Sequence, residues 1–464
     1  MIAESRKLRD WLARAPSPIF VGYAVAVAFT TYFCMYAFRK PFAAAKFEGL
    51  SFFGTDVELK TALVISQIIG YALSKFVGIK VCSEAGGDRR AWLLVILVLW
   101  AEAALLLFAI LPPSWRILPI FLNGLPLGMV WGLVVSYLEG RRTSELLLAG
   151  LSCSYIVSSG MVKDFGRALV EGAVADWWKA VPAIGPAMSR MMSSVSEAWM
   201  PAVAGLYFLP LFLASVWLLN QIPRPSTRDV EERVERKPMS GSERMAFVRQ
   251  FALGIFLLCG AYFFLTAYRD FRDNYQVELF DELGYAYSEN KMIITRAETL
   301  VMFGVLASLA LLNVFRENRL GLIAAFGVMS GGMVLMGVST LLLDAGMISG
   351  FWWMTLIGLG SYLAYVPYGS LLFDRLIAST KVVGTAVFAI YLADAIGYTG
   401  SVGVQLFKDL AHGGASRLVF FKNFTYLMSI IGTVCLVWSC VYFLRKRREA
   451  VTELAMVKPQ AASI

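Results

Sequence analysis

Runs of about 20 apolar residues recur along this chain, and a helix of that length matches the roughly 30 Å hydrocarbon layer of a bilayer. In lipid every backbone donor and acceptor must be satisfied by the protein itself, so such runs become spanning helices or strands of a closed barrel. Hydropathy predicts spans near Pro18–Ala45, Leu59–Cys82, Ala91–Leu111, Ile117–Leu138, Leu146–Val170 and Met200–Leu219. After a polar stretch, further spans are expected near Phe251–Tyr268, Met292–Phe315, Leu320–Leu343, Phe351–Phe373, Val382–Phe407 and Phe424–Leu444. The total is about twelve, half on each side of the polar stretch.

The chain is 58% hydrophobic and only 16% charged, with a mean hydropathy of +0.64. That balance excludes a soluble multidomain protein. Long period-two alternation is missing and Trp and Tyr recur near the ends of the apolar runs, which favours helices over a barrel. The expected fold is an all-α polytopic membrane protein, with the lipid bilayer as its first partner.

The net charge of +9 does not point to nucleic acid, because Lys and Arg concentrate in short loops and tails, where they set topology. With both termini cytosolic, the inner segments hold Arg6, Lys7, Arg9 and Arg14, then Lys80 with Arg89 and Arg90, Arg141 with Arg142, Arg316 with Arg319, Arg375 with Lys381, and Arg445 to Arg448. The outer segments are mixed or acidic, notably Asp270 to Glu289. The stretch 221–249, rich in charge and punctuated by Pro223, Pro225 and Pro238, reads as a cytosolic linker between residues 1–220 and 250–464. Glu171 to Glu197 reads as short amphipathic helices at the outer interface. The first apolar run lacks a small-residue cleavage site and is expected to be a retained helix. Six scattered cysteines show no metal-ligand spacing and read as core residues.

Chemistry enters through a repeat. Thr31 to Lys40 superimposes on Ala261 to Asp270, matching Tyr32 to Tyr262, Phe33 to Phe263, Ala37 to Ala267 and Arg39 to Arg269. Cations within membrane helices are costly and usually face a cavity, a partner or a substrate. Ala43, Ala44 and Ala45 are expected to continue the helix beyond Arg39, placing it inside the layer, although an anchor at the outer interface is the competing reading. Tyr71 and Lys75 stand four apart on one helical face. Lys163 and Asp164 are expected to neutralise one another. Asp394 sits mid-span with no cation beside it in sequence, and Glu298, two residues after Arg296, poses the same question. The single histidine, His412, is assigned to an outer loop, so a His-based hydrolase or metalloprotease has no base or ligand set, and no Walker-type loop marks a primary pump.

The motifs Tyr36-Ala37-Phe38-Arg39-Lys40 and Tyr71-Ala72-Leu73-Ser74-Lys75-Phe76 resemble first- and second-helix patterns of the organophosphate:phosphate antiporters within the major facilitator superfamily. Gly128-Met129-Val130-Trp131 resembles a fourth-helix Gly-Met-Gly-Trp, and Gly384-Thr385-Ala386 with Gly397 to Ser401 resembles the eleventh-helix pattern. The resemblance implies that Arg39 and Arg269 grip a substrate phosphate, and it brings Glu298 near an eighth-helix glutamate. The chain departs from the family where Ser152-Cys153-Ser154-Tyr155 stands in place of a histidine-bearing segment, and where Cys82 replaces a usual loop acid.

The resulting expectation is a non-enzymatic, monomeric secondary transporter of a bacterial inner membrane. It has two pseudo-symmetric six-helix bundles with a polar cavity between them, alternating access, and no cofactor or metal. Its substrate is a small organic anion, a phosphate ester among the candidates. Arg39 and Arg269 form the clamp, because a guanidinium fork matches carboxylate or phosphate oxygens. Lys75, Tyr36, Tyr71, Trp131 and Tyr155 line the cavity, and Glu298 or Asp394 balances charge or carries protons. Two alternatives stay open: a sensor or receptor on the same fold, and a transporter of a non-phosphorylated substrate.

Overall fold

The computed structural model describes residues 5–84, 87–138, 141, 143–179, 184–193, 195–224, 241–286, 289–312, 314–315, 317–373, 375–376, 386–412 and 416–460. Within them the chain is helical, with no strand beyond a single bridge between Ser51 and Glu58. The helices are α1 (Arg6–Arg14), α2 (Ser17–Ala37), α3 (Leu59–Glu84), α4 (Gly87–Ile110), α5 (Ile117–Leu138), α6 (Ser144–Val170), α7 (Ala173–Lys179), α8 (Gly185–Met192) and α9 (Met200–Leu219). They continue with α10 (Gly241–Gln250), α11 (Ala252–Asn274), α12 (Gln276–Glu282), α13 (Ile293–Leu312), α14 (Asn318–Asp344), α15 (Gly350–Pro367), α16 (Ala386–His412) and α17 (Arg417–Gln460).

Ten of the described helices are long and apolar enough to cross a membrane. The expected tenth and eleventh spans fall on α15 and α16, which are not among those ten. Pro367 ends α15, and a π-turn from Tyr368 to Leu372 follows it, because proline supplies no amide hydrogen and its ring crowds the preceding turn. α16 is long but carries Asp394, Gln405, Lys408 and Asp409. The short helices α7 and α8 occupy the stretch expected to be amphipathic. Most of the expected linker lies outside the described residues, as do Gly384 and Thr385; the linker's end forms α10.

The first span is shorter than expected. α2 stops at Ala37, and Phe38 to Lys40 form a turn before a 3-10 segment, Pro41–Ala44. Pro41 explains the stop, since its ring would clash with the Ala37 carbonyl of a continuing helix. The alanines after Arg39 therefore do not extend α2, although the whole turn is buried.

Chain contacts divide the molecule into two compact units. The first comprises residues 1–233, 272–302 and 404–417. Inside it α2 packs on α6 and α9, and α3 packs along α5. The α3–α5 seam depends on small residues: a Cβ on Gly124 would come to 2.5 Å from the Gln67 carbonyl oxygen and 2.9 Å from the Tyr71 nitrogen. Such close backbone approach is the usual adhesive between helices in lipid, where burial of apolar surface gives little preference for helix over lipid contact.

The second unit comprises residues 234–271, 303–403 and 418–464. There α14 and α15 meet at Gly332 and Gly360 in the same manner, with a Cβ on Gly332 reaching 2.5 Å from the Gly360 oxygen. Tyr268 stacks on Phe421 at 4.6 Å, and its hydroxyl lies 3.0 Å from that of Thr425, tying α11 to α17.

Candidate functional site

The break in α2 creates a local problem that the first unit solves with two amides. Carbonyls past a helix end lack intrahelical partners and need others when buried. Asn123 donates to the Phe38 carbonyl at 2.9 Å and Gln67 to the Arg39 carbonyl at 3.0 Å, and Gln67 also donates to the Asn123 side-chain oxygen at 2.9 Å. A second bond from Asn123 reaches the Ala101 carbonyl at 3.1 Å. The Arg39 turn is thus fixed to α3, α4 and α5 by side chains that the sequence reading did not single out.

From this turn the Arg39 guanidinium lies 3.8 Å from the centroid of the Tyr71 ring and 5.9 Å from that of Tyr36. Tyr71 stands near the middle of the 26-residue α3, about 18 Å from its start at about 1.5 Å per residue. Lys75 approaches the same ring at 5.4 Å. On the other side Tyr36 meets Tyr32 at 5.6 Å, Tyr32 meets Trp131 at 4.9 Å, and Trp131 meets Tyr155 at 5.8 Å. The residues expected from the first half, Arg39, Lys75, Tyr36, Tyr71, Trp131 and Tyr155, thereby form one chain of cations and rings, with Tyr32 as the link that was not foreseen.

The second unit repeats the device. Arg269 stands 4.1 Å from the Tyr365 ring, Tyr365 stacks on Tyr262 at 5.3 Å, and the Tyr262 hydroxyl donates to Asp394 at 2.7 Å. Asp394 is therefore partnered by a tyrosine across helices, not by a cation. Arg269 also pairs with Asp270 at 3.0 Å, and Ser401 donates to the other Asp270 oxygen at 2.9 Å. Trp131 in α5 and Tyr365 in α15 play corresponding parts against Tyr32 and Tyr262.

Glu298 lies elsewhere. It belongs to a buried ionic cluster in the first unit, paired with Arg272 at 2.8 Å and accepting from Gln276 at 2.6 Å. In the same cluster Asp273 takes Lys40 and Lys163, and Glu278 takes Lys60. Lys163 and Asp164 do not form the direct pair expected. Lys163 turns to Asp273 and Gln276, whereas Asp164 accepts from the Thr295 amide at 2.8 Å and hydroxyl at 2.6 Å, because the exposed amides at the start of α13 attract a carboxylate. Beyond the cluster Lys46 meets Asp281 at 2.8 Å, and that carboxylate holds the ammonium pKa above its ordinary value.

A cavity of about 510 Å³ opens among Lys46 to Ser51, Asp56 to Glu58, Glu278, Asp281, Glu282 and Arg417. None of the expected site residues lines it. Among the described residues no group of three or more His, Cys, Asp or Glu is placed to hold an ion. Cys34, Cys153 and Cys259 are buried and unpaired with one another, as core residues.

Ten helices among the described residues long and apolar enough to cross a membrane give an all-α polytopic membrane protein with the major facilitator fold. Solved structures share the fold. A bacterial homologue of the human lysosomal transporter Spinster matches with a TM-score of 0.56 at 13% identity, over 97% of this chain and 98% of that one. A D-xylose-proton symporter matches at 0.57 and 12% identity over 90% and 96%, and the nucleoside transporter NupG at 0.55 and 12% over 91% and 98%. The chain itself belongs to DUF5690, a family of unknown function whose model matches residues 41–188 and 180–446. No curated protein sequence matches it.

Proposed function

We propose that this chain is a secondary transporter of a small organic anion, with a phosphate ester as the preferred form. It works by alternating access between two six-helix bundles, 1–220 and 250–464, whose linker and termini face the cytosol. The observation that carries the reading is the repeated placement of a guanidinium against a tyrosine ring, Arg39 on Tyr71 and Arg269 on Tyr365. A ring face orients the planar cation, and a guanidinium fork matches the oxygens of tetrahedral or planar anions. Lys75 adds a point charge, and Tyr36, Tyr155 and Trp131 supply an apolar, hydrogen-bonding wall. The motif resemblance to the organophosphate:phosphate antiporters supports phosphate over carboxylate, and Asp394 with Tyr262 is the charge-balancing pair.

The test uses the purified protein in detergent and in vesicles. Glycerol phosphate and inorganic phosphate should raise the thermal midpoint, whereas glycerol should not, and labelled glycerol phosphate should exchange across the vesicle membrane. Stabilisation by sugars or nucleosides with no response to any anion would overturn the reading. Binding without uptake would make the chain a receptor.

A further inference from the structure

One acid of the first unit takes no part in either arrangement. Glu102 lies in the membrane span of α4, about 12 Å from its end at about 1.5 Å per residue. It is 4% exposed, and among the described residues neither carboxyl oxygen has a hydrogen-bond partner. The elements packed on α4 are α5, α9 and the 3-10 segment Pro113–Arg116. The titratable groups they offer are Tyr137 on α5, Tyr207 on α9 and Arg116, whose Nε is bonded to the Leu111 carbonyl and whose guanidinium lies over Phe108. On α4 itself the charged residues Asp88, Arg89 and Arg90 lie more than three turns away. From the end of α2 comes the Phe38 ring, followed in sequence by Arg39, which rests on Tyr71. An ionised carboxylate in such a seam has no compensating charge, so the group is held as the neutral acid.

The seam is shaped around this carboxyl. A Cβ on Gly205 of α9 would overlap the Glu102 Oε2 atom and stand 3.0 Å from Phe38 Cδ1. Glycine at 205 therefore makes the space that the acid and the Phe38 ring share. The same region is wired to the arginine turn, because Asn123 bridges the carbonyls of Ala101, the residue before Glu102, and Phe38, the residue before Arg39. A charge appearing on Glu102 acts on a turn held by two side-chain hydrogen bonds, and movement of that turn acts back on Glu102.

We propose that Glu102 is a proton-binding site of the transport cycle. It carries its proton in this conformation and releases it to water when the Phe38–Arg39 turn shifts. The step breaks the carboxyl O–H bond, passes the proton to a water molecule and leaves a carboxylate. Like charges in a membrane oppose each other, so an anion at Arg39 favours the protonated acid and the two bind together. This inference rests on the transporter reading, and the experiment separates the two.

Infrared spectra of the purified protein near pH 7 should show a protonated-carboxyl stretch that disappears in Glu102→Gln. If the substitution removes no such band, the acid is ionised and the proposal is wrong. In vesicles with an inward proton gradient, wild type should accumulate labelled glycerol phosphate up to about tenfold per pH unit for one coupled proton. Glu102→Gln should keep exchange at equal concentrations yet accumulate nothing, and Glu102→Asp should recover part of the response. Gradient-driven accumulation unchanged in Glu102→Gln overturns the assignment. A wild type that moves no glycerol phosphate but shows the Glu102 band refutes the substrate reading and leaves the proton site standing.

Discussion

Removing the Asp273 carboxylate should destabilise the protein more than any other single change in its ionic cluster. One Asp273 oxygen pairs with Lys40; the other accepts from Lys163 at 2.9 Å and from the Ser159 hydroxyl. The Lys40 and Lys163 side chains are 5% and 0% exposed. In Asp273→Ala both ammonium groups keep neutral acceptors, Asn274 at 2.9 Å for Lys40 and Gln276 at 2.7 Å for Lys163. They lose their counter-charge. Breaking one buried ion pair by removing a partner costs about 3–5 kcal/mol, and here one carboxylate serves two cations, so the upper end applies. Thermal unfolding in detergent, followed by tryptophan fluorescence or a thiol-reactive dye, should show a midpoint lowered by roughly 5–10 °C. Combining the change with Lys163→Met removes one stranded cation and should recover about half the loss. A midpoint within about 1 °C of wild type for Asp273→Ala, or a double variant no better than the single, would refute the claim that the cluster is held by charge.

Arg39→Lys and Arg269→Lys keep the charge but lose the planar fork, and each should weaken glycerol phosphate binding about ten- to a hundredfold by calorimetry, with expression intact. Unchanged affinity in both variants would end the role assigned to the two arginines. Tyr155→His should make binding tighten as pH falls through about 6.5, since only the imidazolium adds a cation; a wild type with the same steep dependence would show that another group titrates. Lys46 has a folded-state pKa raised by Asp281, so its contribution is complete below about 10.5 and fades as pH rises through the higher folded value. Lys46→Gln should therefore lower stability by under about 1 kcal/mol at pH 8, with the difference from wild type closing as pH rises through the folded value; a gap that widens with alkalinity contradicts the sign.

The rings and cations of the first unit were legible because their spacing is local. Tyr36 precedes Arg39 by less than one turn, Tyr71 and Lys75 share a helical face, and the repeat at Tyr262 and Arg269 marks the second site. The end of α2 was legible too, but Pro41 was outweighed by the alanines behind it, which favour a helix only where the chain can continue one. The supporting amides Gln67 and Asn123 carry no signal of their own, since they look like any polar residue that helps helices associate in lipid. The partners of Lys40, Lys163 and Lys60 lie more than 100 positions away along the chain, and no spacing rule spans that distance. For the same reason Glu298 read as a lone acid when its partner is Arg272, 26 positions back and on another helix.

The ionic cluster also bears on how this protein meets a membrane voltage. Moving one elementary charge through the full field is worth about 2.3 kcal/mol per 100 mV. Lys40, Lys60, Lys163 and Arg272 supply four positive charges, and Asp273, Glu278, Glu298 and Asp164 supply four carboxylates to set against them. Displaced as a body, such a cluster carries no current and feels no net force. At this part of the molecule the electrical component of the driving force then falls on the ions that pass through, and the protein contributes almost no gating charge of its own.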